Sequence, residues 1–240
     1  MKITLTNILV AANVVAFVWQ TTTRGGVDYD HGYLSPQSAL QYGEWWRIVT
    51  AAFLHASIPH IALNMVALYS VGREVEAVFG KARFALLYAL SILGSGLSII
   101  YFSAYTIPTL GASGAIFGLF GALVAVGLRL GARGRSLIMS LLPVLVINLL
   151  FTFSIPGISA AAHVGGLVTG FLAGLVLFMG SRQRQLAAAY ARAAAAPVAA
   201  TRPVVTIEQT PEIETIEHPP DAGPHEEADA PPLHVRDPRE

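Results

Sequence analysis

The sequence contains no cysteine. That removes disulfides, cysteine-bearing zinc sites and thiol nucleophiles together, and says nothing about compartment. Charge is also scarce. Only 12% of residues are Asp, Glu, Lys or Arg, about half of what a soluble domain carries. The carboxylates are unevenly laid out. Ten of the fifteen lie between Glu208 and Glu240, and the other five are Asp28, Asp30, Glu44, Glu74 and Glu76. The zero net charge therefore conceals an apolar body with a slight basic excess and an acidic tail. There is no H-E-x-x-H, and no internal repeat or interrupted helix of the kind that marks a transporter. No nucleic-acid partner is expected.

What is present is apolar, at 54% of all residues. Six runs can be read, at about 3–19, 60–78, 84–102, 113–128, 137–153 and 163–179. Each is near the lower end of the length that spans ~30 Å of hydrocarbon. Backbone groups at that depth must be satisfied within the segment, so helices are expected. The first run lacks a small-x-small cleavage site and reads as a retained helix rather than a signal peptide. Lys2, Lys81 with Arg83, Arg129 with Arg133 and Arg135, and Arg182 with Arg184 mark alternate connections. The positive-inside rule then places both termini in the cytoplasm. The expectation is an all-α, multi-pass integral membrane protein of the plasma membrane.

Residues 20–59 form a long first loop, rich in aromatic and apolar residues and expected to be ordered at the outer interface. The membrane domain is read as 1–185, with its core motifs in 43–180. Residues 186–240 are read as an Ala-rich helical extension followed by a disordered, acidic, Pro-rich cytoplasmic tail with unknown partners.

Polar groups inside membrane segments are costly, so each is a candidate for function. The second, fourth and sixth runs share one direction, and their first turns carry His60 and Asn64, then Ser113, then His163. The fourth run, Ser113 to Leu128, is about 24 Å long as a helix, so Ser113 lies roughly 6 Å below the outer boundary in a pocket that water must reach. A serine needs an adjacent base, and His163 is the one histidine on the sixth run. His60 and Asn64, spaced i and i+4, share a helix face and can both donate to an oxyanion. No carboxylate lies near these outer ends, which favours a Ser–His dyad over a triad. Gly114 with Gly118, and Gly166 with Gly170 and Gly174, permit the close helix packing that would bring Ser113 to His163. Read alone, Ser113 is a helix cap, and the lone histidine bonds a neighbouring carbonyl.

These motifs resemble the rhomboid family of intramembrane serine proteases. Gly111–Gly114 (GASG) matches G-x-S-G, and Ala162–Gly166 (AHVGG) matches A-H-x-x-G. His60–Asn64 (HIALN) matches H-x-x-x-N, and Val75–Gly80 (VEAVFG) matches E-x-x-x-G. Trp46-Arg47 matches the W-R of the first loop, and His55 a further family histidine. The resemblance implies a six-transmembrane-helix bundle without a cofactor. It would cleave transmembrane protein substrates in the lipid bilayer, with Ser113 as nucleophile and His163 as base. Trp46, Arg47, His55, Glu76 and the glycines are expected to be structural. Some bacterial members carry a tyrosine four residues after the serine, under the histidine; here that residue is Phe117, whose ring can stack but has no hydroxyl. Two rivals remain. A zinc site of His55, His60 and His163 has no nearby carboxylate to act as base. A catalytically silent rhomboid-like protein that escorts membrane clients would normally have lost the serine or the histidine.

Overall fold

The computed structural model describes residues 3–22, 32–178 and 189. The expected helical extension falls outside these except for Ala189, and the expected acidic tail falls outside them entirely. Among the described residues there are eight α-helices: α1 Leu5–Thr22, α2 Pro36–Leu40, α3 Arg47–Thr50, α4 Ile58–Phe79, α5 Lys81–Phe102, α6 Ser113–Arg129, α7 Arg135–Ser154 and α8 Ala160–Leu177. The six long helices begin and end within three residues of the six apolar runs. Among the described residues the one strand-like element is an antiparallel bridge between Leu34 and Thr109.

The starts of the helices follow local chemistry. Ser57 accepts from the His60 N–H, and Pro59 sits in the first turn of α4; proline there forgoes an N–H that would have no intrahelical acceptor. Ser159 caps α8 through the Ala162 N–H. Ser35 and Ser38 form a reciprocal capping box on α2.

Among the described residues four helices are long and apolar enough to cross a membrane: α1, α5, α8, and α7 with the turn before it. The segment Arg47–Phe53 and α4 would count as one further span bent by 95°, and α6, at 17 residues, is shorter. The surface carries large apolar side chains such as Leu63, Phe102, Phe153 and Val176, whereas Thr6, Asn13, Ser91, Thr152 and His163 are buried. A soluble monomer rarely exposes so many large apolar side chains. This is a multi-pass membrane protein.

Among the described residues the α6–α8 pairing is the most extensive. A methyl group at Gly166 would meet the Gly114 carbonyl, and one at Gly170 the Gly118 carbonyl. The pairs 114–166 and 118–170 advance together, so the two helices are parallel. α5 runs antiparallel to α6, with Ser95 against Gly114 and Ser91 against Gly118. Without a side chain at these positions backbones approach closely, which is how membrane helices gain van der Waals contact.

The first loop is tied from several sides. Leu34 and Thr109 exchange backbone bonds of 2.9 and 2.8 Å, and the Gly111 N–H donates to the Ala51 carbonyl at 2.8 Å. Gln20, at the end of α1, donates to the His55 carbonyl at 2.6 Å and accepts from the His55 N–H at 3.1 Å.

Candidate active site

α6 opens at Ser113, but its N-cap is Ala112, and no side chain caps the helix. The serine hydroxyl is therefore not spent on the helix start. Its Oγ lies 2.7 Å from His163 Nε2. His163 is in the first turn of α8 and largely buried. The parallel, glycine-mediated packing of α6 and α8 puts the two first turns side by side, across 50 residues of chain. Phe117, one turn below Ser113, stacks on the imidazole with ring centroids 4.2 Å apart and planes 14° apart.

His163 Nδ1 lies 2.7 Å from Thr152 Oγ1, near the end of α7. The motifs did not point to Thr152. A single threonine in an apolar helix, eleven residues before the histidine, gives no sequence signal of its own.

His60 and Asn64 line the same cavity as Ser113 and His163, a space of about 500 Å³. Asn64 Nδ2 donates one hydrogen to the His60 carbonyl at 3.0 Å, which leaves its second N–H uncommitted. His60 Nδ1 accepts from the Ala56 N–H at 3.4 Å. Nδ1 is then the unprotonated nitrogen of a neutral ring, and Nε2 carries the donor. The edge with Nε2 faces Gly111, where a Cβ would stand 2.9 Å from it. Gly111 itself has φ +125°, a conformation that suits glycine.

The other residues that the motifs point to make contacts of their own. His55 is fully buried, its ring edge-on to His60 at 5.1 Å. Arg47 is buried and donates to the Tyr33 carbonyl at 3.2 Å. It pairs with Glu44 at 2.8 Å, and its guanidinium lies over the rings of Tyr33 and Trp46. Trp46 is half exposed. Glu76 is far from the cavity. Its carboxylate accepts from the Leu5 N–H at 2.9 Å, and from the Thr6 N–H and hydroxyl at 2.8 Å each. It thus holds the N-terminus of α1, where a negative charge also complements the helix dipole.

A model of the rhomboid domain matches residues 42–180, more than half of the chain. The chain belongs to the rhomboid family. It is 40% identical over 141 residues to the rhomboid protease GluP of Bacillus subtilis, a match covering 58% of this chain and 27% of that protein. It is 36% identical over 151 residues to RHOMBOID-like protein 6, mitochondrial, of Arabidopsis thaliana, covering 62% of this chain and 48% of the relative. It is also 32% identical over 159 residues to Inactive RHOMBOID-like protein 8 of the same plant, covering 65% of this chain and 44% of that one. The matched part of this rhomboid therefore spans between about a quarter and a half of these relatives' lengths.

Proposed function

We propose that this rhomboid is an intramembrane serine endopeptidase that cuts transmembrane protein substrates in or near their membrane segment. The observation that carries the reading is the 2.7 Å contact between Ser113 Oγ and His163 Nε2 in a cavity. Ser113 Oγ attacks the scissile carbonyl carbon while His163 Nε2 takes its proton. The tetrahedral oxyanion is held by the Ser113 N–H, His60 Nε2–H and the free Asn64 N–H. Collapse breaks the C–N bond, and His163 returns the proton to the leaving amine. Water, deprotonated by His163, then hydrolyses the acyl-enzyme and frees Ser113. In a water-poor site fixed donors of this kind stabilise developing charge more than bulk solvent does.

The six long helices are read as six spans, with α4, α6 and α8 running from the outside in and both termini cytoplasmic. Lys81, Arg83, Arg129, Arg133 and Arg135 cluster at one set of helix ends in support of that orientation. Residues 1–185 would form the membrane domain and 186–240 a cytoplasmic extension, in the plasma membrane.

A fluorophosphonate probe applied to the purified protein should label wild type and leave Ser113→Ala unlabelled. Cleavage of a model transmembrane substrate should be lost in Ser113→Ala and in His163→Ala. Equal labelling of Ser113→Ala would remove the nucleophile assignment. A wild type that binds the substrate without cutting it would favour the silent, client-binding reading.

A further inference from the structure

The geometry points to Thr152 as the residue that sets the protonation state of His163. We infer that its hydroxyl holds the imidazole in the Nδ1–H tautomer, in the place that a carboxylate fills in a triad. The inference rests on the protease reading above and extends it to a third residue.

A threonine hydroxyl has one hydrogen. Thr152 Oγ1 lies 2.7 Å from the Asn148 carbonyl and 2.7 Å from His163 Nδ1. A carbonyl can only accept, so the hydroxyl donates to Asn148. Towards His163 it has only lone pairs left, and Nδ1 must supply the hydrogen. In a neutral ring Nε2 is then the bare nitrogen, facing Ser113 Oγ at 2.7 Å. The opposite tautomer would leave two lone pairs opposed at Nδ1, or would leave the partly buried Asn148–Thr152 contact without a hydrogen.

The fold encloses this arrangement. α7 buries a narrow stripe, Leu137, Leu141, Leu145 and Thr152, and Thr152 is the polar end of it. The hydroxyl is almost fully enclosed, as is His163. A histidine between a serine and a neutral acceptor gains orientation and tautomer from that acceptor, without the charge that an aspartate would add to its imidazolium. Phe117 fixes the plane of the ring; Thr152 fixes its rotation and its proton.

The test compares Thr152→Val, which keeps the shape and removes the hydroxyl, with Thr152→Ser, which keeps the hydroxyl. Full-length protein in detergent is assayed on a model transmembrane substrate and with a fluorophosphonate. Thr152→Val should lower kcat and the labelling rate by about 10- to 100-fold, the scale of losing one buried orienting bond, with KM within about two-fold. Thr152→Ser should recover most of the loss. Nitrogen NMR on histidine-labelled protein, with the His163 signal identified by its absence in His163→Asn, should show the Nδ1–H form in wild type and its loss in Thr152→Val. Equal rates in wild type and Thr152→Val, or equal losses in Val and Ser, would overturn the assignment. So would a wild-type His163 in the Nε2–H form, whether or not the protein cleaves. An Nδ1–H wild type that loses this form in Thr152→Val, yet neither cleaves nor labels, supports the role of Thr152 and rejects the protease reading instead.

Discussion

The Phe117 ring lies flat under the His163 imidazole, centroids 4.2 Å apart and planes 14° apart. Both side chains are buried, so the stack is a packing contact as well as an orienting one. The two contributions separate by substitution. Phe117→Leu retains apolar bulk and loses the flat face, a contact worth about 0.5–1.5 kcal/mol beyond its area. It should lower kcat several-fold with a small change in thermal stability. Phe117→Ala leaves a void beside the histidine and should cost about 3–5 kcal/mol of stability as well. Turnover and thermal unfolding of the two purified variants check this; equal turnover in wild type and Phe117→Leu would reduce Phe117 to filler.

Gly111 is constrained twice, by its φ of +125° and by the His60 ring, which a Cβ would meet at 2.9 Å. Gly111→Ala should therefore displace His60 and lower fluorophosphonate labelling by more than ten-fold. Gly131 also has a positive φ, +58°, but nothing stands within 4 Å of its Cβ position, and it lies between α6 and α7 at the end opposite Ser113. Gly131→Ala should cost about 1 kcal/mol of stability through backbone strain and leave labelling near wild type. Equal labelling of both variants would break the link between Gly111 and the site.

Glu76 makes three hydrogen bonds to the first turn of α1. Glu76→Ala strands the Leu5 and Thr6 N–H groups and should lower stability by about 1–3 kcal/mol. Glu76→Gln keeps an acceptor oxygen and should lose less. At a temperature where both remain folded, the labelling rate of Ser113 should match wild type, because Glu76 is remote from the cavity. Thermal unfolding alongside labelling separates the two effects. A stable Glu76→Ala with slow labelling would contradict this account.

The long helices were legible because the bilayer forces a simple rule on sequence: a run of apolar residues must satisfy its backbone internally. Charges marked the alternate connections, and the runs at 113–128 and 137–153 fall almost on α6 and α7. Ser113, His163, His60 and Asn64 could be grouped because residue type and depth along the chain are both written in the sequence. Distances between helices are not. The short helices α2 and α3, of five and four residues, are too brief to show an apolar period; α2 starts on the local Ser35–Ser38 capping box, and Arg47 of α3 is held by the Tyr33 carbonyl. Gln20 fell just past the first apolar run, and only the fold shows it clamping the His55 backbone. Thr152 was invisible for a different reason. Its sequence context is an ordinary apolar helix, and its contact with His163 exists only because the end of α7 comes beside the start of α8.

His60 and Asn64 offer the strictest check on the proposed oxyanion site, because they are coupled through their own helix. The Asn64 amide donates to the His60 carbonyl, and the His60 ring is oriented by the Ala56 N–H. Each should present one remaining N–H to the oxyanion, beside the backbone N–H of Ser113. Loss of one side-chain donor from such a site costs on the order of 10²–10³ in kcat where it is a principal contact. With three donors sharing the charge, His60→Ala and Asn64→Ala should each lower kcat by about 10- to 100-fold, with KM little changed. The double variant should lose less than the product of the two, since donors acting on one charge are not additive. Kinetics of the two single variants and the double variant measure the coupling directly. Strictly multiplicative losses would mean that the two side chains act at separate places, and a loss confined to KM would move them from oxyanion binding to substrate binding.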